Sequence, residues 1–169
     1  MDGSPITTVA PSTTATALTS LTTGLPPGRH GVVGYRMAVH GEVLNVLRWS
    51  TASGDARQSI PPSKIQPTPP FLGERPPVVT RAEYRQSGFT GAHLDPARYW
   101  GYSTLSTMVT EVDRLLRSSE PFVYAYYDGL DKVAHEYGLG EHYDAELAWI
   151  DHTVDRIVAL LPRGGALVV

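Results

Sequence analysis

Ser103-Thr-Leu-Ser-Thr-Met-Val-Thr-Glu-Val-Asp-Arg-Leu-Leu116, followed by Pro121-Phe-Val-Tyr-Ala-Tyr-Tyr127, decides the fold. Leu105, Met108, Val109, Val112, Leu115 and Leu116 recur at helical spacing, and Ser103 can cap the start. Pro121 stops that helix, and the aromatic and β-branched run after it predicts a buried strand. Asp128 to Gly140 reads as a glycine-rich loop with a short helical turn. Tyr143, Leu147, Ile150, Val154, Ile157 and Leu161 define a second amphipathic helix, ended by Pro162, Gly164 and Gly165. Ala166-Leu-Val-Val169 begins a further apolar strand. Helix, strand, helix, strand with short links predicts an α/β fold with parallel strands. Ligands of such sheets bind beyond the carboxyl ends of the strands. The chain stops where such a loop would begin, so a fragment is expected.

Upstream, residues 7–23 are crowded with threonine, yet Ala15, Ala17, Leu18, Leu21 and Leu25 are interleaved. Ser12 or Thr13 as N-cap and Gly24 as the stop predict a short helix. Gly28 to Tyr35 reads as a tight loop, and Met37 to Val46 as a hairpin. Seven prolines between Ser59 and Pro77 leave no regular element there. Tyr99, Trp100, Gly101 and Tyr102 read as an aromatic loop that stacks on a flat substrate group or pins its own segment. Three zones follow: 1–35, an insertion or cap-like segment 36–102, and 103–169.

The chain has 169 residues, 41% of them hydrophobic and 18% charged, which fits one packed domain. A net charge of −3 argues against a basic nucleic-acid face. There is no cysteine, which excludes disulfides, thiolate zinc sites and a cysteine nucleophile. No apolar run is long enough for a spanning helix. Met1-Asp-Gly-Ser4 shows no leader pattern, so a cytoplasmic protein is expected.

Two candidate sites carry chemistry. Asp131 and His135 lie four apart, so a helical turn projects both from one face. Taken alone they read first as a hydrogen-bonded pair and second as part of a metal site. A threonine at the start of the first helix has free backbone N–H groups and a favourable dipole beside it, which suits an anion. Its hydroxyl can attack phosphorus or sulfur if a metal lowers its pKa. Taken alone, the threonines read first as caps and packing residues. His30 reads as structural, and Asp151 with His152 as a solvated face. His40, His93 and His142 have no partner at a useful spacing.

Together the two candidates carry a resemblance. Pro11-Ser-Thr-Thr14-Ala-Thr-Ala-Leu-Thr-Ser-Leu-Thr-Thr-Gly24-Leu-Pro-Pro-Gly-Arg-His30-Gly31 resembles a signature of the type I phosphodiesterase/nucleotide pyrophosphatase family, within the alkaline phosphatase superfamily. Leu130-Asp131-x-x-x-His135, with Tyr137 and Gly138, is similar to that family's metal-binding segment. The resemblance implies an alkaline-phosphatase-like α/β fold, here incomplete: a mostly parallel central sheet flanked by helices, with an irregular insertion. It implies hydrolysis of phosphodiester or pyrophosphate bonds in a small phosphate ester or nucleotide. Thr14 would be the nucleophile and a ligand of one of two divalent ions of the zinc type. Asp131 and His135 would hold the other. Tyr35 stands where many members place a phosphate-touching Asn, which makes it a candidate substrate contact. Of the six ligands that the resemblance implies besides Thr14, only Asp131 and His135 are matched. Asp2-Gly3 imitates an upstream Asp-Gly but is too close to Thr14. The chain alone is therefore expected to be weakly active or inactive. Two alternatives stay open: a phosphomonoesterase, phosphonate or sulfate ester hydrolase of the same superfamily, and a non-catalytic binding module.

Overall fold

A computed structural model describes residues 7–169. Met1-Asp-Gly-Ser4, with the Asp2-Gly3 dipeptide and the leader reading, lies outside the described residues. The chain forms two compact units. One takes in the described residues up to Arg75 together with Gln86–Ala97; the other takes in Pro76–Arg85 and Arg98–Val169.

The first unit opens with helix α1 (Thr14–Thr23). Thr13 is its N-cap, accepting from the Thr16 amide at 3.4 Å. Gly24 ends it at φ 69°, the left-handed conformation that glycine adopts without penalty. Threonine is a modest helix former, because its branched Cβ loses rotamer freedom. Here the hydroxyls turn back onto the helix's own carbonyls. Thr19 donates to Ala15 O at 2.7 Å, Thr22 to Leu18 O at 3.0 Å and Thr23 to Thr19 O at 2.7 Å. With their polar atoms satisfied, Thr16, Thr19, Thr22 and Thr23 are buried beside Ala15.

The expected loop after Gly24 contains a helical turn, α2 (Pro27–His30). Proline at its first position needs no N–H there, and the turn forms for that reason. The predicted hairpin is present as β1 (Arg36–Val39) and β2 (Glu42–Asn45), paired antiparallel. His40 and Gly41 join them, both at positive φ, which matches the twist of a two-residue hairpin. β3 (Ser50–Thr51) and β4 (Gly54–Asp55) extend this into a four-stranded antiparallel sheet of order β1-β2-β3-β4. The proline-dense stretch still holds a turn of helix, α3 (Pro62–Ile65), again opened by proline. α4 (Gly88–His93), capped by Ser87, completes the unit. Its core gathers Ala15, Val32, Leu44, Val46, Ile60 and Phe89 around the fully buried Trp49. The Trp49 indole N–H donates to Ile60 O at 2.7 Å.

The second unit is built on three parallel strands, β5 (Pro77–Arg81), β6 (Arg98–Tyr102) and β7 (Tyr124–Ala125), in the order β6-β5-β7. Two expectations are corrected here. The proline run does not exclude a strand, because Pro77 occupies the first position of β5, where a strand tolerates it. Tyr99 to Tyr102 is a strand and not a loop: Gly101 is there because any Cβ would stand 2.8 Å from Ala82 Cα. The segment 36–102 is therefore shared between the two units rather than being one inserted body. The fold is of the α/β class, and only one of its two sheets is parallel.

Helix α5 (Leu105–Arg117) carries the expected apolar face, with Met108, Val109, Val112 and Leu115 buried. Its cap is Thr104, one residue after Ser103, with Thr107 closing a capping box. Around the predicted strand Phe122–Tyr127 only Tyr124–Ala125 pairs as β7, continued by one bond from Tyr126 N to Val79 O, and Phe122 is exposed. The expected glycine-rich loop is mostly helix, α6 (Gly129–Tyr137), followed by α7 (Glu141–Leu160). Ala166–Val169 does not form a strand. No described backbone pairs with it, and Val168 and Val169 are exposed.

Gly88 meets Trp49 so closely that an added Cβ would lie 2.2 Å from the indole Cγ. Gly88→Ala is expected to destabilise the first unit by about 1–3 kcal/mol through overpacking. Urea unfolding followed by tryptophan fluorescence checks this, and unchanged stability would show that Trp49 yields freely.

Candidate functional site

Thr14 is the first residue of α1 and is half-buried. Thr13 and Thr16 pair their hydroxyls at 3.0 Å, and Thr13 also takes the Thr16 amide. Among the described residues no group hydrogen-bonds the Thr14 hydroxyl. The site thus presents an uncommitted hydroxyl at the positive end of a ten-residue helix.

His30 braces the other end of α1. Its Nδ1 accepts the Val32 amide at 3.1 Å, so the ring hydrogen is on Nε2. Nε2 then donates to Ser20 Oγ at 2.8 Å. Gly31 follows at φ 85°, with an added Cβ only 2.5 Å from Ile65 O. Tyr35 is partly exposed, its hydroxyl accepting from Asn45 Nδ2 at 2.9 Å. Thr14 and Tyr35 belong to the first unit, Asp131 and His135 to the second.

Asp131 and His135 stand one turn apart on α6, with Asp131 Oδ1 3.6 Å from His135 Nε2 and both side chains exposed. Two donors held at about 2.1 Å from one tetrahedral ion stand about 3.4 Å apart, so the pair fits as two donors of a single cation. No group of three or more His, Asp or Glu suited to a metal occurs among the described residues. The pair alone offers two of the four donors that a tetrahedral ion takes.

What anchors α6 escaped the sequence reading. Asp128, directly before the helix, is 6% exposed. It accepts from Arg81 Nε, from the Tyr84 hydroxyl at 2.6 Å and from Lys132 Nζ at 2.9 Å. Burial pushes its pKa up, but the hydrogen bonds from Tyr84, Arg81 and Lys132 outweigh that and hold it below the ordinary carboxylate value. Arg81, the last residue of β5, also lies 5.7 and 5.8 Å from the Tyr102 and Tyr127 ring centroids. The Tyr99 hydroxyl donates to Arg81 O, and the Tyr102 hydroxyl to Tyr126 O at 3.0 Å. Through these hydroxyls Tyr99 and Tyr102 tie β6 to the ends of the other two strands. Burial raises the Tyr124 and Tyr127 hydroxyls to about 12. The whole cluster occupies the carboxyl ends of the parallel strands.

The type I phosphodiesterase / nucleotide pyrophosphatase family matches residues 2–120. The chain belongs to this family. No curated protein matches it. Thr14, His30 and Tyr35 lie inside the matched span, while Asp131 and His135 lie beyond it. The family consists of phosphodiesterase and pyrophosphatase hydrolases, generally metal-dependent, acting on small nucleotide or phosphodiester substrates. No helix among the described residues is long and apolar enough to cross a membrane.

The remaining histidines of this family member are structural or exposed. His93 is buried and stacks on Phe89 at 4.0 Å, its Nδ1–H donating to Phe89 O at 2.6 Å. His142 packs on Tyr137 at 4.3 Å, and His152 is exposed beside Trp149. Burial pushes His93 down to about 4 and lowers His30 as well. An unfolded histidine titrates near about 6.5. Between those values the unfolded chain binds the extra proton, so stability is full above about 6.5 and is lost on acidification towards 4. His93→Asn keeps an N–H for Phe89 O and is expected to flatten that decline. Urea unfolding at a series of pH values reads it, and an unaltered slope would refute the assignment.

Proposed function

We propose that this chain supplies the nucleophile and one pair of metal donors of a hydrolase that cleaves phosphodiester or pyrophosphate bonds. The observation that carries this is the uncommitted Thr14 hydroxyl at the N-terminus of α1, inside the matched span. Thr14 Oγ attacks phosphorus and the ester oxygen leaves, giving a phosphothreonine that water then hydrolyses. The first-turn amides of α1 face the phosphoryl oxygens and offset their charge. The His30–Ser20 bond holds the far end of α1, so the Thr14 backbone does not swing as charge develops. Tyr35, steadied by Asn45, is the substrate contact of the same unit. Two divalent cations, zinc by the resemblance, would lower the pKa of the Thr14 hydroxyl and of the water, with Thr14 on one and Asp131 and His135 on the other.

Bis-p-nitrophenyl phosphate, with ZnCl2 or MnCl2 added, is the test substrate. Thr14→Ala is expected to lower kcat on the order of a thousandfold or more, and Thr14→Ser to retain part of it. Acid quenching and peptide mass spectrometry should find phosphate on Thr14, including where turnover is slow. An active Thr14→Ala variant, or phosphate on another residue, overturns the proposal. Faster cleavage of mono-p-nitrophenyl phosphate would favour the phosphomonoesterase reading. Tight binding without any phosphoryl transfer would favour a binding module.

A further inference from the structure

α6 is a short helix that packs against α7 along one side and buries little of its own surface. It spans nine residues, a length that is marginal for an isolated helix, and its one fully buried residue is Gly129. Leu130, Val133 and Ala134 are only half-buried, while Asp131, Lys132, His135 and Glu136 face solvent. Its N-terminal residue Asp128 does not cap it in the usual way, for the carboxylate takes no amide of the first turn. That carboxylate reaches instead to Arg81 at the end of β5 and to Tyr84. Lys132 reaches back from the second turn to the same carboxylate and lies 5.6 Å from the Tyr84 ring centroid. Three donors, two from residues 81–84 and one from α6 itself, thus meet on one buried oxygen pair, three residues before Asp131.

We infer that Asp128 and Lys132 are positioning residues: their cluster with Arg81 and Tyr84 fixes the first turn of α6, and with it the one-turn relation between Asp131 and His135. This rests on the proposed role of Asp131 and His135 as metal donors. If the first turn frays, Asp131 leaves the helix while His135 stays, and the two donors no longer face one cation. Asn at 128 keeps one acceptor oxygen but loses the charge and the second, so Arg81, Tyr84 and Lys132 can no longer all be met and the tie of α6 to β5 weakens.

The test uses the full chain, with Zn2+ alone as probe, read by the NMR shifts of His135, and with amide hydrogen exchange across residues 129–137. Asp128→Asn is expected to weaken Zn2+ binding about tenfold, the scale of loss when a ligand's supporting partner is removed. Exchange should speed up in α6 while α5 and α7 keep their protection. Lys132→Met is the second variant, exposed enough to leave the fold intact. Removing a positive charge beside Asp131 would by itself strengthen cation binding. The positioning role predicts the opposite, weaker Zn2+ binding with faster α6 exchange. Equal or tighter binding by Lys132→Met, or unaltered α6 exchange in both variants, overturns the inference. Asp131→Asn and His135→Ala separate the two readings. If neither alters Zn2+ binding, the donor assignment fails, whereas α6 exchange still reports on the anchor. If both abolish binding and Asp128→Asn does not weaken it, only the positioning role fails.

Discussion

The pairing of β5 with a parallel neighbour on each side governs the second unit. Val78 and Val79 are fully buried, and their backbone groups are met by β6 and β7. Parallel strands cannot be joined by a tight turn, so the chain must leave the sheet between them. Between β5 and β6 it does so by contributing Gln86–Ala97 to the first unit, and between β6 and β7 by α5. Because β5 is central, its last residue, Arg81, lies among the strand ends. There it meets Asp128, and α6 begins where that meeting places it.

The first unit answers to a different constraint, the enclosure of one large side chain. Trp49 is at positive φ, with no exposed surface and its indole N–H committed to Ile60 O. Gly88 leaves the room that the ring needs. α1 contributes Ala15 to the same core while Thr14, one residue earlier, keeps its hydroxyl outside it. The nucleophile candidate thus sits on a helix whose next residue is in the core, with its own hydroxyl uncommitted.

Much of this was legible in the sequence, and the parts that were not share a cause. Thr13, Gly24, the hairpin and the apolar faces of α5 and α7 are local signals, and each element formed near its predicted place. β5 and β6 were hidden because proline density and Gly101 speak locally for loops. Only pairing with partners far along the chain makes them strands. Ala166–Val169 is the converse case, a strand-like composition without a partner. α6 was read as a loop with only a short helical turn because Gly129 and Gly138 frame it, though both glycines lie at its ends. Of the candidate site, spacing alone paired Asp131 with His135, and only the family resemblance singled out Thr14 among its neighbouring threonines. Asp128 could not, since Arg81 is 47 residues away and Tyr84 44.

The back-bonded threonines of α1 carry a consequence for the life of the chain. Once α1 has formed, the oxygens of Thr19, Thr22 and Thr23 are turned inward onto its own carbonyls. Folding therefore takes these three hydroxyls out of reach of any reagent that needs an accessible oxygen, since all three are buried and bonded.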